Sequence, residues 1–196
     1  MISYAIQVIS NPDSISWDAI KQCLVDAHSV NRAKGINMAH YQWPAEKIKE
    51  SIGEDGTMLV AMDGDKVVGT AGLAVKNSNA WYTQGRYGYM CFDSVLPEYK
   101  GLGIYKSLTE KREELALSKG LKVLLLDTHE KNQRLQKIAK ANGFQYVNFF
   151  QAKSKDHYSV IMVKWFDGCP YTRSYCQCKF LLSKLRTFVA VNILKR

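Results

Sequence analysis

The segment that decides how this chain folds is Pro97-Glu98-Tyr99-Lys100-Gly101-Leu102-Gly103-Ile104-Tyr105. It follows a strand-like run over 86–95 and opens a helix-like run over about 103–119. Its two glycines allow the backbone to turn tightly and to approach a ligand closely. The new helix has N–H groups without intrahelical partners and a positive dipole end, and Lys100 adds a charge beside them. These features suit the turn to a phosphate. On the glycines alone, a turn that merely starts a helix remains the alternative.

The spacing excludes two common phosphate-binding motifs. The GxxxxGK[ST] pattern of a P-loop is absent. No third glycine follows as in a dinucleotide-binding turn, and Tyr105 lies where that glycine would be.

Strand and helix patterns alternate along the rest of the chain. Strands are predicted at 4–9, 58–62, 66–75, 86–95, 123–126, 144–150 and 157–166, and helices at about 15–31, 44–52, 103–119 and 132–142. The run over 123–126 is continuously apolar, which is typical of a central strand covered on both faces. This order predicts an α/β (α+β) fold in which a mixed sheet carries helices on both faces.

Length and composition agree with one ordinary domain. The 196 residues are 46% hydrophobic and 23% charged, which excludes wholesale disorder. No apolar run reaches the length of a membrane span, and the N-terminus lacks the basic flank and cleavage site of a signal peptide. Five cysteines form neither a dense nor an even set, so we expect a reduced, cytoplasmic protein.

Positive charge is concentrated at the end of the chain. Residues 164–196 hold seven basic residues and one acidic residue, which is +6 of the net charge of +9. We therefore expect a domain over 1–166 and a basic extension over 167–196. Such a surface attracts nucleic acid, anionic lipid or phosphorylated ligands. No nucleic-acid recognition motif accompanies it, so we expect no nucleic-acid partner.

The extension itself is predicted to form an amphipathic helix over 174–194. One stripe consists of Cys178, Leu181, Leu182, Leu185, Phe188 and Val189, and the opposite face of Lys179, Ser183, Arg186 and Thr187. A stripe this broad is expected to be covered. We favour docking on the parent domain or across a homodimer, and a peripheral contact with an anionic membrane is the alternative.

Two segments together resemble the GNAT superfamily, the Gcn5-related N-acetyltransferases. The loop over 98–105 matches the family's Q-x-R-G-x-G-x-G/A-like turn between a strand and a helix. Downstream, Leu124–Thr128, Asn132 and Gly143-Phe144 match the family's strand, asparagine and Gly-Phe helix end. The resemblance covers about residues 1–166.

This resemblance implies a mostly antiparallel sheet of six or seven strands and direct acetyl transfer from acetyl-coenzyme A to a primary amine, with no metal. It also implies the residues that hold the co-substrate. The pyrophosphate would lie on the amides of Lys100, Gly101, Leu102, Gly103, Ile104 and Tyr105, and the pantetheine arm on Asn132. Val95 would also contact the co-substrate.

Three positions depart from the family pattern. Glu98 stands where the family has Gln or Arg, and Tyr105 replaces a small residue. Ala139 occupies the position at which many members have the tyrosine that protonates the departing thiolate. A degenerate member that binds an acyl-coenzyme A as a sensor or interaction module, without turnover, is therefore the rival hypothesis.

Amine acetylation needs a proton acceptor and N–H donors that face the developing oxyanion. The resemblance implies that the strand over 86–95 supplies a backbone donor, and Asp93 and His129 are the predicted proton acceptors. For Asp93 the alternative is a loop or cap ligand, and for His129 an exposed loop residue. A nucleophilic Cys91 and a metal set of His157, Cys169, Cys176 and Cys178 are weaker alternatives.

The resemblance also implies that the acceptor pocket lies around the segment that joins the first two helices. Its predicted residues are Asn31, His40, Tyr41, Trp43 and, from another loop, Trp81. Aromatic and hydrogen-bonding groups suit a small amine such as an amino sugar or an amino-acid-like metabolite. The alternative is that these aromatic rings only pack a helix against the sheet.

Overall fold

A computed structural model describes residues 4–152 and 157–193 of the chain. These residues contain seven strands and six α-helices. The strands are β1 (Ala5–Ile9), β2 (Thr57–Asp63), β3 (Lys66–Ser78), β4 (Gly85–Val95), β5 (Val123–His129), β6 (Gln145–Gln151) and β7 (Tyr158–Trp165). The helices are α1 (Trp17–Ala27), α2 (Ser29–Ala33), α3 (Ala45–Ile52), α4 (Ile104–Ser118), α5 (Gln133–Ala141) and α6 (Arg173–Asn192). The predicted fold class, a mixed and mostly antiparallel sheet of six or seven strands with helices, is confirmed.

One predicted helix is divided. The pattern indicated a single helix over 15–31, but the chain leaves the helical conformation at His28 (φ −99°, ψ 6°), between α1 and α2. Val30 continues the helical spacing of the apolar residues in α1, but it is 47% exposed because it lies beyond this break.

The described residues form two compact units. The first comprises the chain up to Asn77 together with Gly88–Leu121. In it, β2 pairs antiparallel with both β1 and β3. The residues of β2 and β3 are buried in unbroken runs, as expected for strands covered on both faces. The apolar core of this unit includes Ile20 and Leu24 of α1 and Ile48 of α3.

The second unit comprises Ser78–Tyr87 and the chain from Lys122 onward. In it, β7 pairs antiparallel with β5 on one side and with β6 on the other. Since β6 ends the sheet, one side of its backbone has no strand partner among the residues that the structure describes. Helix α6 packs on this strand.

The orientation of α6 corrects the prediction for the extension. Ser183 and Thr187, expected on the solvent face, bond the edge strand: the Phe149 N–H donates to Ser183 Oγ (2.9 Å), and Thr187 Oγ1 donates to the Phe149 carbonyl (3.0 Å). Edge backbone groups need hydrogen-bond partners, and these two hydroxyls supply them. The leucine stripe therefore faces outward and does not dock on the parent domain.

The last three residues of the predicted extension, 194–196, lie outside the described residues. Within residues 4–152 and 157–193, no helix has both the length and the apolarity needed to cross a bilayer.

Candidate active site

The glycine turn before α4 has the backbone geometry that the sequence predicted. Gly101 (φ +88°) and Gly103 (φ +84°) both adopt left-handed conformations, which favour glycine. Helix α4 begins at Ile104, and no side chain caps its N-terminus. The first N–H groups of the helix are therefore available to an anion. Lys100 is exposed beside them.

The unusual residues of this turn do not obstruct it. Glu98 pairs with Lys66 (3.1 Å), which offsets its negative charge. Tyr105 turns inward, where its hydroxyl bonds to Asp93, and burial is the main cause that raises its pKa. Ile104 is also buried, whereas Leu102 is exposed, so their contribution to an anion site would come from the backbone.

The central charged contact of the first unit joins Asp93 of β4 to Arg112 of α4. Arg112 is fully buried, and the Asp93 side chain is 17% exposed. Arg112 donates from Nη1 to Oδ1 and from Nη2 to Oδ2 (3.0 Å) of the carboxylate, and from Nη1 to the Gly72 carbonyl (3.3 Å). Burial alone would lower the pKa of Arg112, but the Asp93 charge raises it above its ordinary value.

Beside this ion pair, the backbone of β4 is kinked. Phe92 has a φ of +56°, which is rare for a residue other than glycine and needs support from its surroundings. Thr70 Oγ1 donates to the Phe92 carbonyl (2.6 Å), and His28 Nε2 lies 2.8 Å from the Asp93 carbonyl. Together with Arg112, these contacts hold the kink from three directions.

His28 belongs to a cluster of rings in the same unit. Its ring stacks on Tyr41 (centroids 4.8 Å apart), and His40 packs edge-on against Tyr41, Phe92 and Trp43. Asn31 Nδ2 lies 3.0 Å from His28 Nδ1. The two contacts of the His28 ring fit a neutral ring that donates from Nε2 and accepts at Nδ1. Burial lowers the pKa of both histidines, that of His40 to about 4.

The structure thus brings four of the predicted acceptor residues, Asn31, His40, Tyr41 and Trp43, into one cluster. Tyr41 is buried, while His40 and Trp43 keep part of their surface exposed. Trp81 lies in the second unit, where it packs against Tyr82, Tyr171 and Tyr175 and its carbonyl accepts a hydrogen bond from the Tyr171 hydroxyl (2.8 Å).

His129 and Asn132 both lie at the junction of β5 and α5 in the second unit. The His129 ring is buried, stacks on His157 (4.5 Å) and accepts at Nδ1 from the Lys131 N–H (3.1 Å). Asn132 caps α5 by accepting from the Leu135 N–H and donates to Thr128 Oγ1 (3.1 Å). The predicted functional roles of both residues stay predictions.

Sequence reasoning missed His28, Phe92 and Arg112. A signal for two of them was present, because His28 follows Ile20 and Leu24, and Arg112 follows Leu108, at four-residue spacing on the apolar face of a helix. A polar residue at such a position needs a buried partner. The left-handed conformation of Phe92 has no counterpart in the sequence.

The weaker nucleophile hypothesis finds no support in the surroundings of Cys91. Burial raises the pKa of its thiol to about 12, which keeps it protonated and unreactive. Among residues 4–152 and 157–193, no group of three His, Cys, Asp or Glu side chains is placed to hold a metal ion.

Comparison with known proteins agrees with this geometry. The family model "Acetyltransferase (GNAT) family" matches residues 17–144. No curated protein matches the chain in sequence. Solved structures with the same fold include an acetyltransferase from Streptococcus agalactiae (18% identity, TM-score 0.63, 84% of this chain and 99% of that one). Another is FeeM, an N-acyl amino acid synthase from uncultured soil microbes (11% identity, TM-score 0.62, 93% of this chain and 98% of that one).

A third is the ribosomal-protein-S18-alanine N-acetyltransferase from Escherichia coli (15% identity, TM-score 0.61, 87% of this chain and 98% of that one). Because the family model matches well over half of the residues, this chain belongs to the GNAT acetyltransferase family. It is an acyltransferase, and acetyl-coenzyme A is the co-substrate typical of its family.

Removing Arg112 is expected to destabilise the protein strongly. The change Arg112→Met leaves the Asp93 carboxylate largely buried without its cation, and breaking a buried pair in this way costs about 3–5 kcal/mol. Lys111→Met is the control on the same helix, since Lys111 makes an exposed pair with Glu114, worth at most about 1 kcal/mol. Urea denaturation measures both, and equal effects would contradict the burial argument.

The free energy of unfolding is expected to rise with pH between about 4 and 6.5. In this window the unfolded chain protonates His40, whose ordinary pKa is about 6.5, while burial keeps the folded ring neutral. The contribution of His40 to the free energy of unfolding is fully present above the pKa that the ring has in the unfolded chain. It is lost as the pH falls through the lower pKa that the ring has in the folded protein. His40→Phe should flatten this dependence in denaturation series at pH 5 and pH 7.5, and an unchanged slope would contradict it.

Proposed function

We propose that this chain transfers an acetyl group from acetyl-coenzyme A directly to a primary amine of a small molecule, such as an amino sugar or an amino-acid-like metabolite. The observation that carries the proposal is the uncapped N-terminus of α4 behind the left-handed Gly101 and Gly103. Backbone N–H groups and the helix dipole make such an end a site for the coenzyme's phosphates.

The residues of the turn fit this ligand. A side-chain atom added at Gly101 would meet nothing within 4 Å, so the backbone is open to a bulky anion. Lys100 supplies a cation, and we assign the amides of 100–105 and Val95 at the end of β4 to the phosphate and pantetheine groups. The role of Asn132 toward pantetheine is proposed from the family resemblance alone.

Acetyl-coenzyme A supplies the acetyl group as a reactive thioester. The amine nitrogen attacks the carbonyl carbon, the C–N bond forms and the C–S bond breaks; the amine loses a proton and the thiolate gains one. We assign the donor for the developing oxyanion to a backbone N–H at the Phe92 kink. A donor fixed in advance costs no reorganisation during the reaction.

Asp93 and His129 were both predicted to take the amine proton, and we now propose separate roles. Both oxygens of Asp93 accept N–H bonds from Arg112, so this carboxylate is already engaged in a buried ion pair. Its contacts favour a positioning residue that fixes the β4 backbone. His129 stays the proposed proton acceptor.

A small amine as acceptor is supported by the neutral His28–His40 cluster, whose rings and amide suit an uncharged polar ligand. One of the similar structures, FeeM, is an N-acyl amino acid synthase, a name that describes acylation of an amino acid. The ribosomal-protein-S18-alanine N-acetyltransferase is instead named for an alanine of a protein. The five free cysteines support our proposal that the enzyme works in the reducing cytoplasm.

Coenzyme A binding tests the donor site. Gly101→Asp places a carboxylate in the proposed anion site and should lower coenzyme A affinity at least about 100-fold in calorimetry. Gly120→Asp is the matched control, because Gly120 has a similar left-handed φ of +69° and open surroundings but lies at the other end of α4. Equal affinities for the wild type and both variants would exclude this turn as the phosphate site.

The pH dependence of turnover tests the two proton-transfer roles. His129→Asn should remove the acid limb of the kcat profile and lower kcat by about 10²–10⁴. Asp93→Asn should lower kcat but keep the shape of the profile, since a positioning residue does not titrate with the reaction. The opposite pattern would make Asp93 the proton acceptor.

A sensor that binds acyl-coenzyme A without turnover is the second candidate. The observation that favours it is Ala139, which is buried in α5 and carries no acid where many relatives have a tyrosine. Thiol release measured across a panel of amines separates the two functions. Tight coenzyme A binding without amine-dependent thiol release would establish the sensor.

A further inference from the structure

The outward face of α6 carries a series of exposed apolar side chains. Its members are Leu181 (62% exposed), Leu182 (48%), Leu185 (59%) and Phe188 (59%), continued by Ile193 (64%). Solvent-exposed apolar residues are normal when scattered, but a contiguous patch on one helix face marks an interaction surface. The opposite face is already occupied by β6 through Ser183 and Thr187, so the helix is held with its apolar face outward.

Basic residues border this apolar face on both sides. At about 100° per residue, Arg173 and Lys184 lie to one side of the stripe centred on Leu185, and Lys179 and Arg186 lie to the other. Helix α6 contains no acidic residue. The Lys179 ammonium lies over the Tyr175 ring, 5.3 Å from its centroid, on the border of the face. The Lys184 ammonium lies over the rings of Phe180 (5.1 Å) and Phe149 (5.3 Å), on the side of the border next to β6.

A cavity of about 580 Å³ in the second unit adjoins the same surface. Leu181 belongs to both, and Lys140 and Arg173 supply two cations beside the apolar rings of Phe144 and Phe180. The cavity therefore repeats the chemistry of the face, which is positive charge next to apolar surface.

The charges around the apolar face of α6 indicate which kind of partner binds there. If two copies paired through this face, the basic borders of both helices would meet without an acidic residue of either α6 to neutralise them. A bilayer with anionic headgroups complements both features, since its acyl region accepts the leucines and its phosphates accept the basic borders. We propose that α6 docks this enzyme in the plane of an anionic phospholipid surface. The membrane alternative thereby replaces the protein docking expected from the sequence.

Vesicle co-sedimentation of the full chain tests the proposal. Binding is expected to vesicles of phosphatidylglycerol and phosphatidylcholine, and to be at least about tenfold weaker with phosphatidylcholine alone. The pair Leu185→Asp and Phe188→Asp should weaken binding at least about tenfold, because both side chains would enter the acyl region. Leu117→Asp, at an apolar position of α4 that is 54% exposed, is the matched control and should bind as the wild type does.

A charge-reversal pair tests the basic borders independently of the apolar face. Lys184→Glu with Arg186→Glu should abolish binding, whereas Lys111→Glu with Lys137→Glu, which changes the net charge equally elsewhere, should weaken it much less. Equal binding to neutral vesicles would overturn the electrostatic part of the proposal. A stable dimer in sedimentation velocity that Leu185→Asp dissociates would assign the face to a second copy and overturn it. A monomer that binds neither vesicle would overturn it as well.

Discussion

The buried ion pair between Asp93 and Arg112 is the interaction on which the site in the first unit depends. A buried pair of this kind adds little net stability, because two desolvated charges offset most of their mutual attraction. Among the described buried side-chain atoms, Arg112 Nε alone makes no hydrogen bond, which is a further cost. The ion pair is better explained by the backbone conformation that it stabilises, which is the left-handed conformation at Phe92. The next carbonyl, that of Asp93, is in turn contacted by His28.

Two helices therefore contact the backbone or side chain of β4 through polar residues on their apolar faces. His28, at the C-terminal end of α1, contacts the Asp93 carbonyl. Arg112 reaches β4 from α4, the helix whose N-terminal end follows the glycine turn. The glycine turn and the kinked strand are thus linked by one helix, α4. This linkage gives a physical reason why a proposed phosphate site and a proposed oxyanion donor keep a fixed spacing within the first unit.

Periodicity in the sequence predicted the strands and most helices, because these depend on local patterns. The glycine turn was predicted because its left-handed backbone positions favour glycine. It did not predict which face of α6 is buried. The apolar stripe is the obvious candidate, but the free edge of β6 needs hydrogen bonds, and Ser183 and Thr187 provide two of them at Phe149. The site was predicted in part. Asp93 was predicted from its position near the end of a strand. Its partner Arg112 lies 19 residues further along the chain, and the pairing becomes visible only where the structure buries Arg112 beside Asp93.

A double-mutant cycle over Asp93 and Arg112 tests most directly whether the pair acts as one positioning unit. The kcat of Asp93→Asn, Arg112→Met and the double variant would be measured at saturating acetyl-coenzyme A with the best amine of a panel. If the pair only holds β4, the three variants lose activity to a similar extent, since residues that act together are not additive. A much larger loss for Asp93→Asn than for Arg112→Met would show that the carboxylate acts on the reaction by itself and would contradict the account.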